Sequence, residues 1–272
     1  MKRLIFTAII CAAATGVFAQ NTNTDSTRNT TDTVKGSKIR VGFGSDGAEF
    51  EPRHGRDTTR HHSKAPGFSF GLTFARFDIG LTTLIDNGSF TLSPQNQFLN
   101  YRSWKSSNVG FDLLQFGYRF NSSFKIYVSG GLDWTLIRLR DNITILENQP
   151  VLTYRQDDID FSKNRFSAEY VRIPLSFDFR GKDPDDGGHW HFVFGPEIGL
   201  LIGGRVKQIS EENGKQKFDN DYHFSSFRYG PFLRVGKGGW GIFAKYYFND
   251  MFENSPDQKG LKNFAFGFTF GF

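Results

Sequence analysis

Glu197 and Asp178 are the residues best suited by type to acid–base chemistry. Each carboxylate stands between large apolar side chains, where burial would raise its proton affinity. Six more ionisable side chains, Arg119, Asp133, Arg172, Arg228, Arg234 and Lys245, take the same kind of position in other segments. Proton transfer or hydrolysis would need one of these carboxylates in an accessible pocket. Charges of both signs confined to a narrow interior pair with one another instead, because an unpaired buried charge is strongly unfavourable. Mutual pairing is therefore the expectation. His189 and His191 share a strand face beside a short turn and suit a metal if His223 or a carboxylate joins them, but His223 falls at the other end of the same topology. His54 and the adjacent His61 and His62 lie in a polar, basic linker and read as solvated. A nucleophile elbow, an HExxH pair and a phosphate-binding glycine loop are all absent. No catalytic, cofactor-binding or metal-ligating residue is assigned, and neither an enzyme nor a cofactor is expected.

The elements that would position these charges have a period of two. Large apolar residues recur at alternate positions over 68–74, 114–120, 126–136, 171–179, 192–202, 227–235, 240–248 and 264–272, so each segment has one apolar face and one small or polar face. That makes eight strands. With 32 Phe and 30 Gly in 272 residues, the apolar face is mainly aromatic and the opposite face is rich in glycine and charge. A soluble sandwich would turn the phenylalanines into a core and set the glycines against water. A narrow transmembrane barrel does the reverse, with the aromatics in lipid and the small and charged groups inside. Pro174 on the small face, and Pro196 and Pro231 on the apolar face, each remove a ladder donor and predict local irregularity. Trp104, Trp134, Trp190, Trp240 and Tyr246 are candidates for interfacial girdles.

Connection lengths agree with a barrel. Short links at 121–123, 181–188 and 236–239 alternate with long ones at about 84–107, 139–165, 204–221 and 249–262, which puts every long loop on one side of an up-and-down meander. Loop 139–165 carries Asp141, Glu147, Asp157, Asp158 and Asp160, and loop 204–221 carries Lys207, Glu211, Glu212, Lys215 and Lys217; these read as solvated charges, with a protein or lipopolysaccharide partner as the functional alternative. The last nine residues alternate Phe with small side chains up to Phe272.

The N-terminus reads as a cleavable secretory signal over 1–19: Lys2-Arg3, an apolar stretch, then Val17-Phe18-Ala19. It contains the only cysteine, Cys11, so disulfides and cysteine chemistry are not expected in the remainder. Residues 20–65 read as a flexible polar segment with a short strand pair at 39–43 and 48–51, and 66–272 as the barrel. A balance of 33 basic to 28 acidic residues is too even to suggest nucleic acid.

Several motifs resemble the PorT-like outer-membrane β-barrel proteins of Bacteroidota. They are Phe77-Asp78-Ile79-Gly80-Leu81, Gly130-Gly131-Leu132-Asp133-Trp134, Tyr170-Val171-Arg172-Ile173-Pro174-Leu175 and the stretch from Phe264 to Phe272. The resemblance spans roughly 39–272 and implies an eight-stranded barrel in the outer membrane, recognised through its last strand by the barrel insertion machinery. The expected role of this monomer is structural or binding, through long external loops over a filled lumen, with a small channel as the alternative.

Overall fold

A computed structural model describes residues 66–72, 76–181 and 189–271. The expected signal, the polar N-terminal segment with its strand pair and histidines, and Phe272 lie outside the described residues. Among the described residues twelve strands follow in order: β1 (Gly67–Leu72), β2 (Phe77–Asp86), β3 (Ser107–Arg119), β4 (Phe124–Arg138), β5 (Ile143–Ile145), β6 (Tyr154–Gln156), β7 (Lys163–Arg180), β8 (Trp190–Ser210), β9 (Gly214–Asn220), β10 (Phe227–Lys237), β11 (Trp240–Tyr246) and β12 (Leu261–Phe270). β1 and β2 both pair with β3, at its two ends, and so form one interrupted strand. From there antiparallel pairing runs β3–β4–β7–β8–β10–β11–β12, and β12 pairs back onto β2. The chain is an all-β, eight-stranded antiparallel barrel.

Side-chain alternation follows the strand period. Phe68, Phe116, Val128, Phe179, Phe192, Tyr229, Ile242 and Phe268, one from each ring strand, are all exposed on the outer wall. Trp190 lies opposite Lys237, Lys237 opposite Trp240 and Trp240 opposite Phe270, so the aromatic belt at the short-turn end forms a row across four strands. A barrel this narrow bends its strands sharply. Where β12 closes on β2, Gly267 faces Gly80, and a Cβ on Gly80 would sit 2.1 Å from the Phe266 carbonyl oxygen. Only glycine permits that approach.

Parity changes at three places. The register of β3 on β4 shifts between Asp112 and Leu114, leaving Leu113 and Leu114 both on the outer side. In the first ring strand the outward residues are Phe68 and Phe70 before the interruption, but Ile79 after it. A third shift, between Glu169 and Tyr170, lies where β7 and β8 leave the apolar band. The prolines produce an interruption without a shift: β7 on β8 runs to Pro174↔Glu197 and resumes in the same register at Phe177↔Phe194. Pro196 and Pro231 face each other across β8 and β10.

The long connections differ from the solvated loops expected. β7 and β8 are 18 and 21 residues long, well beyond the roughly 9–11 residues a tilted strand needs to cross a bilayer. Their outer halves continue past the band, β9 adds to β8 there, and β5 and β6 form a separate hairpin. Lys207, Lys215 and Lys217, read from sequence as loop residues, therefore lie on strands β8 and β9.

A charge-filled lumen beneath an apolar cap as the candidate functional site

Inward positions of β2, β3, β4, β7, β8, β10 and β11 converge on one ion network. Arg172 is its centre: its guanidinium donates to Asp78 Oδ2 at 2.6 Å and, from Nε, to Asp112 Oδ1 at 2.9 Å, and lies 3.7 Å from Asp133. Arg234 donates to both oxygens of Asp78, at 2.8 and 3.2 Å. The Lys245 ammonium lies 2.9 Å from Asp133, 3.4 Å from Asp78 and 3.9 Å from Glu197. Arg228 reaches Asp133 and is held between the rings of Tyr170 and Tyr247, 3.8 and 4.2 Å from their centroids. Tyr247 donates to Glu197 at 2.7 Å. Every charged member is almost wholly shut from water. Backbone makes the room: a Cβ on Gly110 would fall 2.4 Å from Arg172 Nη1.

All eight charges expected inside are buried, but they form two groups. Asp133, Arg172, Glu197, Arg228, Arg234 and Lys245 meet at mid-barrel. Asp178 is at the short-turn end, where His191 Nδ1 and Arg180 Nε each lie 3.1 Å from it, and Arg119, the last residue of β3, is buried at that same end. Between the groups the lumen is filled by Tyr127, Val193, Phe232 and Phe243, inward apolar groups in a lumen read from sequence as glycine-rich and polar. His223 lies among the long loops and approaches the Gln149 carbonyl at 2.7 Å, so it does not meet His189 or His191.

Sequence reasoning missed Asp78 and Asp112, which with Arg172 make the tightest part of the network. Extending the parity of 68–74 and 114–120 through the strand turns both outward; the interruption and the bulge turn them in. The signal was present in Phe77-Asp78-Ile79-Gly80-Leu81, whose alternation is offset by one from the preceding segment, and in the adjacent Leu113-Leu114.

Above the network the long connections make an apolar cap. Phe166, Phe224 and Phe252 stack with centroids 4.6 and 5.1 Å apart, and Leu99, Ile143, Ile145 and Leu261 are buried with them. Tyr222 joins this core edge-on to Phe166, with its hydroxyl donating to the Phe218 carbonyl at 3.1 Å. Tyr222 and His223 both adopt left-handed backbone, φ 47° and 57°, a strained conformation kept only where packing enforces it. Cross-links join the connections: Leu152 N–H donates to Ser255 Oγ at 2.9 Å, and Gln208 to Thr144 at 2.8 Å. Asp86, at the end of β2, holds the loop after it by accepting from Ser93 N–H, Ser93 Oγ and Asn96 at 2.7, 2.6 and 2.9 Å. Between cap and network a cavity of about 20 Å³, bordered by Thr135, Tyr170, Arg228, Tyr247 and Asn263, has room for about one water molecule.

No family model matches the chain, and no curated protein does. Among solved structures it is similar to Ail, the attachment invasion locus protein of Yersinia pestis, at 13% identity and a TM-score of 0.29, over 76% of this chain and 97% of that one. A second structure of Ail, in complex with the heparin analogue sucrose octasulfate, gives 14% identity and the same TM-score of 0.29, over 76% of this chain and 98% of that one. At that degree of superposition the likeness assigns no function.

Proposed function

We propose that this chain is a monomeric outer-membrane β-barrel that binds at its capped external face and neither conducts nor catalyses. The observation that carries the reading is the inversion of the barrel: all eight ring strands expose large apolar side chains outward, while the charges are inside. Water does not stabilise such a wall, and hydrocarbon does. The long-loop end is external by the usual asymmetry of these barrels, so the short turns face the periplasm. A lumen crossed by ion pairs and roofed by stacked phenylalanines supports a binding role over transport, and leaves the cap as the surface available to a partner. The PorT-like motifs support a Bacteroidota origin and delivery by the barrel insertion machinery.

The test is refolding of the purified chain into lipid vesicles. A folded barrel migrates faster on a gel unboiled than boiled, and external protease leaves the band-spanning strands intact. Equal mobility together with full digestion would remove the proposal.

A further inference from the structure

The outward face of the strands just beyond the apolar band carries cations in direct opposition. Arg138 on β4 pairs with Arg165 on β7, Arg165 with Lys207 on β8, and Lys207 with Lys217 on β9. Four neighbouring strands thus place four positive charges in one row, at the strand spacing of about 4.8 Å. One step further out, Lys163 and Lys215 flank Ile209 on the same face. Like charges directly opposite each other destabilise a sheet, and among the described residues no carboxylate forms an ion pair with any of the row. Arg165 Nε meets no acceptor. The nearest acids are committed elsewhere: Arg205, one step toward the membrane, lies between Asp219 and Glu169. Arg138 donates to the Ser162 carbonyl and Arg165 feels the charge of Glu169, but among the described residues no carboxylate pairs with the row to offset its repulsion.

We propose that the row Arg138, Arg165, Lys207 and Lys217 is a docking ladder for the phosphate groups of the lipid surrounding the barrel in the outer leaflet, of which lipid A is the probe. This rests on the outer-membrane reading above. Position selects that occupant. The row lies two pairs beyond Trp134 on the same outward face of β4, so the cations sit at headgroup height and face sideways into the leaflet rather than upward from the cap. Phosphates spaced along a bilayer surface meet such a row edge-on, and cations near a charged membrane surface each contribute noticeably to attachment.

The experiment uses the whole chain refolded in phosphatidylcholine bicelles, and only samples showing the heat-modifiable band are scored. Loss of that band would count against the barrel reading itself, whereas the comparisons below concern only the ladder. Bicelles doped with bisphosphorylated lipid A are expected to raise the melting temperature, and bicelles doped with lipid A lacking both phosphates are not. In the variant R165Q/K207Q/K217Q, lipid A binding weakens by about tenfold or more, while K105Q/K259Q/K262Q, which removes as much positive charge elsewhere, keeps it. Without lipid A the ladder variant melts higher than the wild type, because the opposed charges are gone; a merely structural row would melt lower. Equal binding of the two lipids, equal loss in both variants, or inositol hexakisphosphate binding as well as lipid A would each overturn the proposal, the last by pointing to a soluble polyanion.

Discussion

Arg172 shows how closely this fold depends on single charges. It bridges Asp78 and Asp112 directly, so Arg172→Met takes a shared cation from two carboxylates in a closed lumen. The expected cost is about 3–5 kcal/mol, read as a lower urea midpoint for unfolding from vesicles; a change under about 1 kcal/mol would mean that water reaches the network. Arg180, partly exposed beside Asp178, is the contrasting case, with an expected effect below about 1 kcal/mol on substitution by alanine. Asp86 offers a titration. Burial raises its proton affinity, but the hydrogen bonds from Ser93, Asn96 and Asn87 outweigh that and hold its pKa below 3.8. A carboxylate depressed in the folded state contributes stability that is fully present above its unfolded value and is lost as the pH falls through the folded one. The loop at 87–100 should therefore stay docked down to about pH 4 and loosen below it. Carboxyl carbon NMR checks this, and an Asp86 midpoint at or above that of a free aspartate would contradict it. At this scale the sequence was legible wherever alternation was unbroken: Asp133, Arg172, Glu197 and Arg234 were placed inside from parity alone.

The strands were legible as elements, and their irregularities much less so. Period-two alternation gave the eight ring strands because every outward position must be apolar, and that demand writes itself into the residues. A bulge leaves no such mark beyond two adjacent apolar residues, as at Leu113-Leu114, and the change of parity between β1 and β2 shows only as the one-residue offset of Phe77-Asp78-Ile79-Gly80-Leu81. The protruding halves of β7 and β8 were hidden for a different reason. Past the band the outer face is no longer apolar, so Arg165, Lys207 and the residues around them look like loop even though the strand pairing continues. The outward parity of β7 is open to direct test. Leu175→Arg places a charge on the wall between Ile173 and Phe177, and should cost about 2–4 kcal/mol in a refolding titration if that point lies near the bilayer midplane. A neutral outcome would mean that this stretch of β7 does not face lipid.

For the whole molecule, the combination of buried ion pairs, inward aromatics and a packed cap predicts a barrel without current: reproducible single-channel steps in a planar bilayer would contradict the filled lumen. The cap was the part least visible beforehand. Its phenylalanines are far apart in the chain, Phe166, Phe224 and Phe252 coming from three separate stretches, and no local pattern announces a core assembled from connections. The network also constrains the order of assembly. Asp78 near the start of the barrel finds its partners on β7, β10 and β11, so its set of partners is complete only when most of the chain has arrived. An intermediate lacking β10 and β11 would hold these acids with an incomplete set of cations, which makes partial insertion unfavourable and ties entry into the membrane to the arrival of the last strands.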